Sequence, residues 1–181
     1  MRLFIAIDFE KNIKAYLENI EIELKNYCIK GSFTNIDNFH ITLAFLGELG
    51  ELNVPRVINA MENLASKFTP FVLTIDKLGN FNKGNSNILW VGTKYSEKLG
   101  SLHKKLCFNL KNQGITYDEK PLKPHITIGR QVILNKEIVE IATSLNLDHQ
   151  MEIPVNSITL MESKRINGKL TYVPLKVVSL K

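Results

Sequence analysis

Phe39-His40-Ile41-Thr42-Leu43 returns further along the chain as Pro124-His125-Ile126-Thr127-Ile128, with the two histidines 85 positions apart (125 − 40). Both stretches read His, Ile, Thr and an aliphatic residue, and they use two of the four histidines in the chain. A motif repeated in this detail indicates an internal repeat. We therefore expect two related lobes, each contributing one such strand to a shared cleft.

Strand geometry decides which side chains of the motif face the cleft. Side chains alternate between the two faces of a strand, so His40 and Thr42 are predicted on one face and Ile41 on the other. The same alternation holds in the second copy, His125 to Thr127. Each strand would present an imidazole beside a hydroxyl group, with an apolar residue on the opposite face.

Two imidazoles and two hydroxyl groups in one cleft favour chemistry on a phosphodiester. In-line attack needs a base for the nucleophile, an acid for the leaving oxygen and donors for the non-bridging oxygens. Histidine titrates near neutral pH and can fill the first two roles. The sequence predicts His40 and His125 as catalytic residues of a phosphoesterase, with Thr42 and Thr127 as donors.

Other interpretations of these histidines fit less well. A zinc site would need a third protein ligand, and neither His103 nor His149 has a spacing that ties it to the pair. We expect both to be surface or edge residues. The chain also lacks the alternating histidines of a histidine-triad nucleotide hydrolase and the Gly-rich loop of a P-loop enzyme.

Charge and cysteine content set broad limits. Lys and Arg number 23 against 18 acidic residues, a net charge of +5 that favours phosphate-bearing partners without requiring them. Asp8 interrupts the N-terminal apolar run, so no signal peptide is expected, and no segment is long and apolar enough to span a membrane. Cys28 and Cys107 are too few for a disulfide framework. We expect a cytoplasmic protein.

Hydrophobic periodicity predicts an α+β fold with antiparallel sheet, formed by residues 1–181 as a single domain. The Asn167-Gly168 pair marks a hairpin. Strands are expected at 3–7, 39–46, 71–78, 88–93, 125–132, 153–162 and 170–180, helices around 13–24, 55–68, 99–110 and 138–145, and a loop at 79–86.

Two residues of the middle segment carry separate expectations. Trp90 lies in an apolar strand, so we expect it to pack in the core or between the lobes instead of stacking on a base. Lys83 lies in the Gly- and Asn-rich loop, which we expect to be mobile and to border the substrate path.

At these residues the chain resembles the two-histidine phosphoesterase superfamily. Within it, the likeness is to bacterial and archaeal RNA 2′,3′-cyclic phosphodiesterases, also described as 2′-5′ RNA ligases. The likeness spans nearly the whole chain. It is carried by residues 2–7, 38–43, 45–47, 89–92 and 124–128, and by Arg130, Tyr172 and Leu175.

The resemblance implies a bilobal α+β fold with two pseudo-symmetric lobes, antiparallel sheets lining a central cleft and helices outside. It implies hydrolysis of a terminal RNA 2′,3′-cyclic phosphate to a 2′-phosphate, without metal or nucleotide cofactor. His125 would activate water and His40 would protonate the leaving 3′ oxygen, while Thr42, Thr127 and Arg130 hold the phosphate. The expected partners are RNA ends or cyclic nucleotides bearing this group, with no membrane, and the expected state is a monomer.

Two departures from the family pattern leave alternatives open. Relatives commonly carry Arg or Lys where this chain has Ala44, which alternation places on the face of His40. The missing cation could come from Lys83, Lys123 or Lys164. The alternatives to the cyclic phosphodiesterase are 2′-5′ phosphodiester hydrolysis or ligation, and a non-catalytic RNA-end binding protein.

Arg130 is the second departure. Alternation from His125 and Thr127 reaches Gly129, so a regular strand would turn Arg130 away from the cleft. A bulge at Gly129 would turn it inward.

Overall fold

The computed structural model describes residues 1–145 and 147–181, which form nine strands and four α-helices. The helices are α1 (Lys11–Lys25), α2 (Val54–Ala65), α3 (Glu97–Asn112) and α4 (Ile138–Ser144). The strands are β1 (Arg2–Asp8), β2 (Cys28–Phe33), β3 (His40–Glu48), β4 (Phe71–Lys83), β5 (Ser86–Thr93), β6 (His125–Leu134), β7 (Glu152–Val155), β8 (Ser157–Ile166) and β9 (Lys169–Ser179).

All strand pairs are antiparallel, and the sheet divides into two halves at its centre. One half runs β3-β1-β8-β9 and the other runs β6-β5-β4-β7, with β3 and β6 as neighbours. β2 pairs with the distal part of β6. Helices α2 and α3 pack on the half that contains β3, and α1 and α4 pack on the half that contains β6. The predicted two-lobed α+β architecture is confirmed.

The apolar core lies between the helices and one face of this sheet. The helix stripes predicted from spacing are buried there: Ile13, Leu17, Ile20 and Leu24 in α1, and Leu99, Leu102, Leu106 and Leu110 in α3. They pack against strand residues such as Ile41 and Ile126, both fully buried. The opposite face of β3 and β6 is left for the cleft. None of the helices in the described residues is long and apolar enough to cross a membrane.

The predicted loop at 79–86 is wrong, because most of it continues the β4–β5 hairpin. The turn itself is Gly84-Asn85. The Asn80 side chain donates to the Asn87 Oδ1 atom across the hairpin at 2.6 Å. Gly79 lies under the Trp90 ring, where an added Cβ would clash with ring carbons. The Gly and polar residues of this segment are typical of a loop, so composition alone did not reveal that the segment forms paired strands.

Two further predictions of the strands need correction. β2 was not predicted, because its residues are mostly exposed and lack an alternating apolar pattern. It forms a strand because its backbone pairs with that of β6. The strand predicted at 153–162 is two strands, since β7 pairs with β4 and β8 pairs with β1 and β9.

Candidate active site

The two His-Ile-Thr triplets meet where the halves of the sheet join. Ile41 of β3 pairs with Ile126 of β6 in antiparallel register. This pairing puts His40 beside Thr127 and Thr42 beside His125. Both isoleucines are fully buried, so the imidazole and hydroxyl groups lie on the opposite face of the sheet. The structure therefore brings together the four motif residues predicted from the repeat.

A bulge breaks the alternation of β3 just after its triplet. Ala6 pairs with Thr42 and Ile5 with Ala44, so Leu43 is an extra residue. Ala44 pairs with Ile5 and packs with it in the apolar core, whereas Phe45 continues the face of Thr42. Leu43 and Ala44, both buried, still border the cavity of His125. The prediction that Ala44 shares the face of His40 is therefore wrong.

β6 carries a bulge at the matching place. Trp90 pairs with Thr127 and Leu89 with Gly129, so Ile128 is the extra residue here. Ile128 and Gly129 are buried, and Arg130 is exposed on the cleft side. The side chain expected to face away in a regular strand thus borders the cleft together with His40 and Thr42.

His40 is held by its neighbours on every side. Its Nδ1 atom lies 2.7 Å from the Asn38 carbonyl oxygen, and its Nε2 atom lies 2.9 Å from Thr42 Oγ1. A carbonyl oxygen only accepts hydrogen bonds, so Nδ1 carries the proton and Nε2 of the neutral ring accepts from Thr42. The rings of Phe4 and Tyr172 pack against the imidazole with centroid distances of 5.0 and 5.1 Å.

The carbonyl that orients His40 belongs to Asn38, which is hydrogen-bonded to the C-terminal strand β9. Asn38 is buried, and its side chain donates to the Leu170 carbonyl at 2.9 Å and accepts from the Tyr172 N–H at 3.1 Å. Both partners lie in β9. The side chain of Asn38 thus ties β9 to the segment that positions the histidine.

His125 repeats this arrangement with different neighbours. Its Nδ1 atom donates to the Lys123 carbonyl oxygen at 2.6 Å, again two residues earlier in the chain. Its Nε2 atom is therefore the lone-pair nitrogen of the neutral ring. Phe81 packs edge-on against the imidazole at 5.0 Å and contacts Trp90 at 5.3 Å.

Burial keeps both imidazoles neutral in the free protein. It lowers the pKa of His40 to about 4, although the Asn38 carbonyl and the Asp8 carboxylate act in the opposite direction. Burial also lowers the pKa of His125, partly opposed by its hydrogen bond to the Lys123 carbonyl. The charge of Arg130 lowers the pKa of both histidines. A single guanidinium therefore acts on both rings, as expected if all three groups surround one anion.

Three adjoining cavities form the cleft. One of about 320 Å³ is lined by His40, Thr42 and Arg130, and one of about 350 Å³ is lined by Thr42 and His125. The largest, about 810 Å³, is lined by His40, Thr127 and Arg130. The three cavities adjoin through shared side chains, and together they are bordered by all five predicted site residues.

The cavities on the two sides of the histidines both carry charge. The cavity beside His125 is lined by Phe45, Phe81, Pro121 and Leu122 together with Asp118, Lys120 and Lys123. The large cavity carries the cations Lys25, Arg165 and Lys169 together with Glu18 and Glu21, and its lining also includes Phe33 and Tyr172.

The sequence did not predict the aromatic contacts of the histidines. Of these aromatic residues, Tyr172 had been singled out, as part of the resemblance to the family. Phe4 gave no signal because an aromatic residue in an apolar strand is usually assigned to the core, and Phe81 gave none because it lay in the predicted loop. Trp90 is half-buried beside Phe81 and is not part of the apolar core, so the predicted core position is wrong, and a position between the lobes stays a prediction.

His103 was expected at the surface or an edge. It is half-buried, lines the cavity of His125, and its Nε2 atom lies 3.4 Å from Cys107 Sγ. His149 is exposed. The described residues contain no group of three or more His, Cys, Asp or Glu side chains placed to hold a metal ion.

Comparison with known proteins identifies the family. A sequence model of the 2′-5′ RNA ligase superfamily matches residues 22–167. The chain belongs to this superfamily. An RNA 2′,3′-cyclic phosphodiesterase from Archaeoglobus fulgidus is 32% identical over 165 residues, which cover 90% of this chain and 91% of the relative. The family expected from the sequence is confirmed.

Solved structures of similar fold cover the whole molecule. TT0787 of Thermus thermophilus aligns over 99% of this chain and 98% of its own with a TM-score of 0.83 and 23% identity, which shows a shared fold. LigT of E. coli, crystallised with 3′-AMP, aligns over 99% of this chain and 97% of its own with a TM-score of 0.82 and 25% identity.

Proposed function

We propose that this protein is an RNA 2′,3′-cyclic phosphodiesterase that hydrolyses the terminal cyclic phosphate to a 2′-phosphate. The observation that carries the proposal is the antiparallel pairing of Ile41 with Ile126, which sets two His-Thr pairs around one space beside Arg130. The activity named for the Archaeoglobus fulgidus relative supports the reaction, and the 3′-AMP bound by LigT supports a nucleotide as ligand.

The side chains present suffice for the reaction. In the proposed mechanism His125 Nε2 accepts a proton from a water molecule as the water oxygen bonds to phosphorus. The phosphorus–O3′ bond breaks, and His40 Nε2 delivers a proton to the departing O3′. Thr42, Thr127 and Arg130 bind the non-bridging oxygens, whose charge grows in the transition state. No step uses a metal or a nucleotide cofactor.

This assignment of acid and base requires the substrate to change the protonation of His40. With a pKa of about 4, His40 is neutral at pH 7 in the free protein and has no proton on Nε2 to donate. An anionic phosphate close to the ring favours its charged form and raises its pKa. Binding of the substrate would therefore load the acid, while His125 stays neutral as the base.

The test is turnover of a short RNA ending in a 2′,3′-cyclic phosphate, in the presence of EDTA. We expect wild-type protein to yield a 2′-phosphate, and His40→Ala or His125→Ala to lose about 10²–10⁴ in rate. His149→Ala is the matched control, because His149 is exposed and outside the cavities of the cleft. Near-full activity in His125→Ala, or loss of wild-type turnover in EDTA, would contradict the mechanism.

A second candidate, cleavage or formation of 2′-5′ linkages, is favoured by the cavities on both sides of the histidines. Spaces of about 350 and 810 Å³ offer room for a nucleotide on each side of the phosphate. An RNA with a 5′-hydroxyl end added to the same assay tests this candidate. A product joined through a 2′-5′ bond supports it, and hydrolysis alone counts against it.

The non-catalytic alternative was raised by the absence of a cation at Ala44. Arg130 offers a cation to the same cleft, which counts against this alternative. Binding of the cyclic end without turnover remains the result that would favour it.

A cytoplasmic location and a monomeric state belong to the proposal. Both cysteines, Cys28 and Cys107, are free, which fits a reducing compartment.

A further inference from the structure

A second charged surface lies outside the cleft, between helices α2 and α3. It consists of two cavities of about 600 and 340 Å³ that share Lys67 and Lys105. Lys104 and Phe108 line the larger, and Lys98 lines the smaller. We call this surface, made of Lys67, Lys98, Lys104, Lys105 and Phe108, the lysine groove.

The lysines of the groove are exposed and uncompensated. Six other lysines of the described chain form ion pairs, but none of these four has a carboxylate oxygen within 4.0 Å. Glu97 lines the smaller cavity, so four positive charges face one negative charge. Unpaired cations that lie side by side repel each other, and an extended polyanion relieves that repulsion.

Phe108 adds an exposed aromatic ring to the charged groove. Its side chain is 65% exposed although α3 buries an apolar stripe on its other side. An exposed aromatic ring among cations is the combination that binds single-stranded nucleic acid, because the ring stacks on a base while the cations contact phosphates.

We propose that the lysine groove binds the body of the RNA whose cyclic end occupies the cleft. This rests on the proposed function and names the part of the substrate that the cleft does not hold. Helix α3 connects the two places, since His103 lines the cavity of His125 while Lys104 and Phe108 line the groove. A helix with its side chains is about 10–12 Å wide, and we therefore expect a dinucleotide held in the cleft to leave the groove free.

The test compares a dinucleotide and an RNA of about 15 nucleotides, both ending in a 2′,3′-cyclic phosphate, with wild-type protein and Lys67→Gln/Lys104→Gln. We expect the KM for the longer RNA to rise about threefold to tenfold, and kinetics on the dinucleotide to stay unchanged. The slope of log KM against log salt should fall by about 1.4, since each phosphate contact to a single strand contributes about 0.7. Phe108→Ala should weaken binding of the longer RNA about fivefold, the loss of one stacked base.

The matched control is Lys11→Gln/Lys30→Gln, which removes the same charge from exposed lysines outside the groove. An equal loss in the control, or unchanged KM and salt slope in the groove variant, would overturn the inference; the latter result would point to an acidic protein as the occupant. Fluorescence anisotropy with an RNA of the same length ending in a 3′-hydroxyl measures groove binding without turnover. A protein that turns over neither substrate but shows the groove effect in anisotropy refutes the proposed function alone.

Discussion

Ile41 and Ile126 pair across the junction of the two halves of the sheet, and each is the middle residue of its triplet. Because the pairing is antiparallel, each histidine lies beside the threonine of the other strand. In the proposed mechanism the two imidazoles act as acid and base on the same phosphate. We therefore expect His40 and His125 to behave as one unit.

Removal of both histidines should cost much less than the product of the single losses. Each single replacement by Ala is expected to lower kcat by about 10²–10⁴. Once one partner of an acid–base pair is gone, the other has little left to contribute. Single-turnover rates of His40→Ala, His125→Ala and the double variant measure this. Losses that multiply would mean that the two side chains act independently.

The pH dependence should follow the lowered pKa values. The reactive form has one charged and one neutral imidazole, and kcat/KM reports the pKa values of the free enzyme. Since burial lowers the pKa of both histidines, this form is most populated on the acid side of the ordinary histidine value of about 6.5. We expect kcat/KM to peak there and kcat to peak at higher pH, because the bound anion raises both pKa values. A kcat/KM maximum above about pH 7.5 would contradict this.

Arg130 should contribute mainly through its contact with the phosphate. Its replacement by Ala removes a charged hydrogen-bond donor and should lower kcat/KM about 10- to 100-fold. Lys at this position keeps the charge without the paired donors of Arg and should recover part of the activity. Arg56→Ala is the control, since Arg56 is exposed and bonds to Asn53. If Arg130→Ala and the control behave alike, Arg130 does not bind substrate.

Asn38 should position His40 without touching the substrate. Asn38→Ala removes two buried hydrogen bonds to β9, and we expect the free energy of unfolding to fall by about 1–3 kcal/mol. The Asn38 carbonyl would then hold His40 less firmly, so kcat should fall while KM stays near its wild-type value. Asn59→Ala, an exposed position, is the control. Lower stability with unchanged kcat would show that Asn38 has a purely structural role.

Buried neutral His40 should make the fold sensitive to acid. The unfolded chain takes up this proton near pH 6.5, whereas folded His40 resists it down to about pH 4. Between these values the unfolded state binds more protons, so the free energy of unfolding falls as the pH is lowered. This one residue can account for about 3 kcal/mol. Urea unfolding at neutral and acid pH should show a smaller decrease in His40→Gln than in wild type or His149→Gln; equal decreases would exclude His40 as the cause.

Hydrophobic periodicity was enough to predict the fold class, and the repeat predicted that the two histidines share a cleft, because strand alternation places each His and Thr on one face. Strand alternation could not predict which way Ala44 and Arg130 face. Each orientation depends on one extra residue in a strand whose partner lies far away in the sequence. The packing of Phe81 on His125 depends on the β4–β5 hairpin, whose Gly and Asn content resembles a loop. That residues 1–181 form one domain stays a prediction.

Phe45 and Arg130 follow their bulges at the same distance from each histidine, yet one is a ring and the other a cation. Without these two side chains, the two His-Ile-Thr triplets would form a nearly symmetric site. A cyclic phosphate turned by half a revolution would then present O2′ where O3′ had been, and the enzyme would cut either bond. Because Phe45 and Arg130 differ, the two ends of this site are not equivalent. Under the proposed function this difference contributes to the choice of the bond that breaks, so exchanging the two residues should change the proportion of 2′- and 3′-phosphate in the product.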